Sequence, residues 1–208
     1  MSLLTEIADI LIKGNAPEVE KKVRQALDDG IDPSTILDDG LIAGMNVVGG
    51  RFKSGEMYVP EVLIAARAMH KGLDLVKPLI ADSDSSNKGT IVLGTVKGDL
   101  HDIGKNLVAM MLEGAGFNVV DLGVDVPSEK FIEAVKLHQP ELIGLSALLT
   151  STMQVMKDVI DELKESNLNV KIMVGGAPVS QEFADTVGAD AYGTDGAEAV
   201  EAAQKLMS

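Results

Sequence analysis

Beyond residue 89 the chain alternates five times between a short apolar run and a helical stretch, and this alternation restricts the fold more than any other feature. The runs are TIVLGTV (90–96), NVVDLGV (118–124), ELIGLSAL (141–148), VKIMVGG (170–176) and the weaker ADAYGT (189–194). Strands buried on both faces read this way, as nearly continuous apolar segments. Helical stretches fall at about 104–115, 127–138, 152–166, 180–187 and 196–207. Strict alternation of strand and helix predicts a five-stranded parallel sheet with helices on both faces.

Residues 1–82 follow a different pattern. Leu3, Ile7, Ile10 and Leu11 form one helical stripe, and Val19, Val23, Ala26 and Leu27 a second. Leu37, Leu41, Met45, Val48 and Phe52 form a third; Val59, Val62, Ala66, Met69, Leu73, Val76 and Ile80 form the longest. Steps of three and four make the narrow apolar seam of a helix bundle. Gly14, Gly30 and Gly55 stand at the breaks, and Pro33 after Asp32 suits a helix start. An N-terminal antiparallel four-helix bundle is expected. Its third helix carries Gly40, Gly44, Gly49 and Gly50, which calls for close helix packing or for a bulky group approaching its C-terminal end. Between the halves, ADSDSSNKG (81–89) reads as a linker, so the expected domains are 1–86 and 87–208.

The formal net charge of −14 argues against nucleic acid as a partner, because a phosphate backbone needs clustered Lys and Arg. The absence of tryptophan argues against a base-stacking surface. With no cysteine there is no disulfide and no thiolate metal ligand. There is neither a signal segment nor an apolar run of membrane length, so a cytoplasmic chain outside the membrane is expected.

In an open sheet of order 2-1-3-4-5, ligands bind beyond the carboxyl ends of strands one and three. The loops there are KGDLHDIG and SALLTST, and both carry the polar residues. Neither matches the glycine-rich phosphate cradles. A receiver-type phosphoacceptor needs an aspartate ending strand three, where Ser146 stands instead. A zinc site needs three or four ligands, and His70 and His138 are remote in sequence from His101. One histidine with a carboxylate two residues earlier suits a single axial ligand whose far ring nitrogen is held by that carboxylate. Plainer roles remain open: His101 as a turn residue, Asp102 as a helix cap, Ser146 satisfying a strand-end amide, Gly175 and Gly176 as turn glycines, Phe52 and Tyr58 as core.

D-x-H-x-x-G at Asp99, His101 and Gly104, S-x-L at Ser146 and Leu148, and GG at Gly175 and Gly176 together resemble the cobalamin-binding domain of corrinoid proteins. NVVGGRFKSGEMYVPEVLIAARAM (46–69) resembles the helical cap of methionine synthase and of the corrinoid proteins of methylotrophic methyltransferases. The resemblance spans nearly the whole chain and implies a flavodoxin-like (Rossmann-like) α/β domain beneath a helical cap. It implies cobalamin or a related corrinoid, as methylcobalamin or cob(I)alamin, bound base-off with His101 as the lower cobalt ligand. Asp99 and Thr152 would complete a proton relay; family members often have serine at the latter place. Asp99, His101, Asp102, Ile103, Gly104, Ser146, Leu148, Thr150, Gly175 and Gly176 would contact the cofactor. Phe52, Met57, Tyr58, Val59 and Val62 of the cap would face its methyl-carrying side.

By the same resemblance the chain is a methyl carrier rather than a complete enzyme. One substrate-specific methyltransferase would load it from methanol, a methylamine or a methoxylated aromatic. A second would unload it to a thiol or a tetrahydrofolate-type acceptor, and a reductive activase would restore it. A cobalamin-dependent regulator or sensor, a mutase subunit and a cofactor-free α/β protein are the alternatives.

Overall fold

Ser2, Asn15 and Asp32 each start a helix by accepting a backbone N–H three residues ahead, from Thr5 (3.2 Å), Glu18 (3.3 Å) and Thr35 (3.1 Å). They open α1 (Leu3–Ile12), α2 (Ala16–Asp28) and the short α3 (Pro33–Thr35). The computed structural model describes residues 2–80 and 88–207. The chain divides into two compact units, Met1–Asn87 with Glu113–Gly116, and Lys88–Leu112 with Phe117–Ser208. Most of the linker motif, residues 81–87, lies outside the described residues.

In the first unit, α3 passes with right-handed helical backbone into a π-helical stretch, Ile36–Ile42, and then into α4 (Ala43–Lys53). These three pieces are the third helix expected from the sequence; the π stretch within it was not. After the turn at Gly55 comes α5 (Val59–Ile80). The predicted stripes meet inside the bundle: Ile7, Leu11, Val19, Val23, Leu41, Val48, Val62, Ala66 and Val76 are all fully enclosed. Close packing accounts for two of the helix-three glycines. A Cβ on Gly44 would lie 3.2 Å from the Ala8 Cα, and one on Gly40 3.4 Å from the Ile7 side chain. Gly50 faces open space.

In the second unit, β1 (Thr90–Thr95), β2 (Asn118–Asp121), β3 (Leu142–Ser146), β4 (Lys171–Gly175) and β5 (Ala191–Gly193) form a parallel sheet of order β2-β1-β3-β4-β5. Between them run α6 (Ile103–Gly114), α7 (Ser128–His138), α8 (Thr150–Glu165) and α9 (Gln181–Val187), and α10 (Gly196–Leu206) follows β5. One core joins Val92, Ile143, Leu145, Ile172 and Val174 of the sheet to Phe131, Met156, Ile160 and Ala184 of α7–α9. Phe131 reaches the sheet because Gly94 has no side chain; a Cβ there would lie 2.7 Å from the ring. The second strand stops at Asp121, short of the expected 124. Asp121 Oδ1 accepts the Gly123 N–H at 2.9 Å, and Gly123 turns the chain with φ +85°. The register aligns Thr95 with Ser146, Ser146 with Gly175 and Gly175 with Gly193. The predicted site residues Ser146 and Gly175 therefore lie side by side at the carboxyl ends of β3 and β4.

Candidate corrinoid site

Between β1 and α6 the chain turns sharply. Gly98 has φ +84°, and the Asp99 N–H bonds back to Val96 O at 3.1 Å. This turn carries the Asp99 side chain inward, where it is fully buried. A buried carboxylate needs compensating donors, and Asp99 has five. Its Oδ2 accepts from the Leu148 N–H (2.7 Å), the Leu149 N–H (3.2 Å) and the Thr152 hydroxyl (2.7 Å). Its Oδ1 accepts from the His101 N–H (3.1 Å) and from His101 Nδ1 (2.7 Å). Burial alone raises the carboxyl pKa. The bonds from Leu148, Thr152 and His101 outweigh it and hold Asp99 below the usual carboxylate range.

An ionised Asp99 accepts but cannot donate, so the bond at 2.7 Å requires a proton on His101 Nδ1. The neutral ring then has its lone pair on Nε2. The His101 side chain is 52 % exposed, and Nε2 has no hydrogen-bond partner among the described residues. This is the arrangement of a metal-ligating histidine, one nitrogen held by a carboxylate and the other free to bind.

Thr152 is buried in the first turn of α8. Its single hydroxyl proton has two acceptors, Asp99 Oδ2 and Leu149 O at 2.9 Å. The loops after β1 and β3 are thus tied together by the three residues predicted to form a relay. Apolar side chains border them: Leu100, Ile103, Leu148 and Leu149 are exposed. Gly104 and Thr150 are exposed as well, and a Cβ on Gly104 would meet open space. Asp102 stands just ahead of α6. Its carbonyl receives the Asn106 N–H at 2.7 Å, and its carboxylate takes the Asn106 side-chain amide at 3.1 Å.

At the adjoining strand ends, Ser146 and Gly175 are partly buried neighbours. Gly176 has φ +128°, and a Cβ there would lie 1.9 Å from Ala147 O, so only glycine fits. In the helical unit, Tyr58 and Val59 are exposed, Phe52 is partly buried, Met57 is buried and Val62 is fully enclosed.

Three contributors to the site escaped the sequence reading. Thr95, fully buried at the end of β1, donates its hydroxyl to His101 O at 2.9 Å. Asp125 accepts the Gly98 N–H at 2.7 Å and donates its own N–H to Asp99 O at 3.0 Å. Lys105 is buried and paired with Asp121 and with Asn106. A polar residue inside an apolar strand run was the available signal for Thr95; the other two gave none.

Residues 89–203 match a family model described as a B12 binding domain, and residues 3–77 match a second model of the same description. The chain belongs to the B12-binding family. This B12-binding protein accordingly takes cobalamin or a related corrinoid, with its cobalt, and the imidazole held by Asp99 suits such a metal. It is 46 % identical over 209 residues to dimethylamine corrinoid protein 1 of Methanosarcina acetivorans, covering 99 % of this chain and 98 % of that one. It is also 46 % identical to the trimethylamine corrinoid protein of Methanosarcina barkeri, covering 87 % and 85 %. A chain of the methanol:cobalamin methyltransferase complex MtaBC of Methanosarcina barkeri superposes with a TM-score of 0.90 at 35 % identity, over 99 % of this chain and 79 % of that one. No helix among the described residues is long and apolar enough to cross a membrane.

Proposed function

We propose that this B12-binding protein is the methyl-carrying corrinoid subunit of a methyltransferase system, with residues 1–86 as cap and 87–208 as the corrinoid-binding domain. The bound corrinoid supplies a cobalt atom that accepts a methyl group and surrenders it to a second acceptor. The observation carrying this reading is the pairing of exposed His101 with buried Asp99 at the switch point of the sheet. His101 Nε2 would hold the cobalt in place of the cofactor's own base. Asp99 keeps the ring proton on Nδ1 and so keeps the Nε2 lone pair outward. Nδ1–H donates to Asp99 whether or not Nε2 is engaged. The Thr152 hydroxyl adjusts by directing its proton to Asp99 Oδ2 or to Leu149 O.

Asp102, Ile103, Gly104, Leu148 and Thr150 would contact the corrin ring. Ser146, Gly175 and Gly176 hold the nucleotide tail. Phe52, Met57, Tyr58, Val59 and Val62 of the helical unit would contribute the apolar contacts to the methyl-carrying cofactor. The donor is a di- or trimethylated amine: relatives named for dimethylamine and trimethylamine are 46 % identical, while a chain of the methanol complex and the monomethylamine corrinoid protein are 35 % and 34 % identical. The partners are an amine-specific methyltransferase, an acceptor methyltransferase working on a thiol or a tetrahydrofolate-type carrier, and a reductive activase.

The test is to load the full chain with cobalamin and reduce it. Absorbance then follows methylation by a dimethylamine methyltransferase and dimethylamine, with methanol and its methyltransferase as comparison. In parallel, the Co(II) form of chain labelled with 15N-histidine is examined by electron paramagnetic resonance. A doublet splitting from one axial 15N is expected. A triplet from unlabelled benzimidazole nitrogen would show the cofactor base on cobalt and end the reading.

A further inference from the structure

His101 is held by Asp99, but Asp99 lies in a turn that must itself be fixed. The turn includes a glycine at φ +84°, a conformation with little inherent rigidity. Asp125, in the loop after β2, bridges this turn at two successive residues. Its carboxylate accepts from Gly98 N–H at 2.7 Å, and its N–H donates to Asp99 O at 3.0 Å. Asp125 is at φ +54°, a left-handed conformation that aspartate tolerates better than most residues. That conformation directs backbone and side chain to the same stretch of the neighbouring loop. The flanking backbone is pinned as well: Val126 N–H bonds to Thr95 O at 2.9 Å, and Val96 pairs with Val126.

From this geometry we infer that Asp125 is a positioning residue, fixing the Gly98–Asp99 backbone so that Asp99 presents His101 Nε2 to the metal of the bound corrinoid. Its hydrogen bonds go to the backbone of Gly98 and Asp99, not to the imidazole. Its carboxylate works as an accepting oxygen, so asparagine can replace it. Glycine keeps the left-handed backbone and the N–H but loses the clamp on Gly98. The inference rests on His101 ligation as proposed above.

The experiment compares wild type, Asp125→Gly and Asp125→Asn, each loaded with equal cobalamin and brought to Co(II). The readout is the share of spectrum showing axial 15N from labelled histidine. In Asp125→Gly the His101–cobalt association constant falls about 10- to 100-fold, the usual result of removing a group that orients a ligand. Cobalamin stoichiometry stays at the wild-type level. Asp125→Asn restores the axial nitrogen. A full axial signal in Asp125→Gly, or its loss in Asp125→Asn, overturns the inference. Absence of histidine nitrogen from wild type instead removes the ligation reading beneath it. Independently of the variants, the Gly98 amide of the wild-type apo chain must exchange slowly with solvent deuterium; free exchange overturns the clamp even if Asp125→Gly does not fold.

Discussion

Replacing Asp99 by asparagine keeps the shape of the side chain and reverses half of its hydrogen bonding. The amide oxygen best occupies the Oδ2 position, where three donors converge from Leu148, Leu149 and Thr152. The new NH2 group then faces His101 N–H and Nδ1, both donors in the wild type. The ring can respond by moving its proton to Nε2, but the backbone N–H cannot. One unsatisfied N–H costs about 1–3 kcal/mol, and three bonds passing from charge-assisted to neutral cost up to about 1 kcal/mol each. Together the destabilisation is about 1–6 kcal/mol, and each kcal/mol lowers Tm by about 2–4 °C for a chain of this size. The moved proton would occupy the nitrogen proposed above to ligate cobalt. The assay pairs thermal melting of the apo chain with the Co(II) spectrum after loading. The expected outcome is a lower Tm and a diminished axial nitrogen signal, with cobalamin still held through its tail. Wild-type melting together with an undiminished axial signal would refute the view that the carboxylate sets the tautomer.

Asp99 also gives acid stability a definite sign. Its folded-state pKa is below the unfolded value of about 3.9, so its contribution is complete above about pH 5 and drains away as pH falls below the unfolded value. In urea titrations the stability gap between wild type and Asp99→Asn therefore narrows from about pH 6 to about pH 3; a constant gap contradicts this. The neighbouring glycines respond differently to substitution. Gly176→Ala drives a Cβ into Ala147 O at φ +128° and costs about 2–5 kcal/mol of folding stability. At Gly175 an added Cβ meets only Gly193 O at 3.2 Å. Gly175→Leu therefore costs about 1–3 kcal/mol of stability but loses most of the bound cobalamin, measured as cofactor retained after gel filtration. Retention at the wild-type level would remove Gly175 from the tail site. Phe131→Ala leaves a cavity against the bare Gly94 backbone and destabilises by about 3–5 kcal/mol in urea; a loss under about 1 kcal/mol would mean the core collapses into the space.

Much of the architecture was legible because burial on both faces leaves few options for strand composition. The five apolar runs became five parallel strands, and the loops after β1 and β3 met because the sheet order reverses between them. The helical seams were equally readable: Val19 and Val23, or Val62 and Ala66, point inward because helical spacing puts them on one face. The π stretch at Ile36–Ile42 was missed. Its stripe runs Leu37, Leu41, Met45, two successive steps of four. That overshoots 3.6 residues per turn and was the only hint of a wider helix. The helix-three glycines allowed two readings in sequence; the contacts at Ala8 and Ile7 select packing for Gly44 and Gly40.

The site divides along a similar line. Asp99 and His101 are near in sequence, and their bond follows from a tight turn that side-chain types and a glycine can announce. Thr95 and Asp125 act on main-chain atoms of residues 6 and 27 positions away, respectively. Such bonds carry no residue-type preference in the partner, since every N–H and C=O is alike. A carboxylate meant for a backbone amide thus looks like any solvated acid, and this chain has 32 acidic residues among which to lose it. What separates Asp125 from the rest is conformational. Its left-handed φ lets one residue satisfy two consecutive backbone groups of the neighbouring loop, and that coincidence exists only after β1 and β2 have paired. The histidine–carboxylate pair is recognisable from local chemistry; the bonds that fix its backbone arise from the sheet.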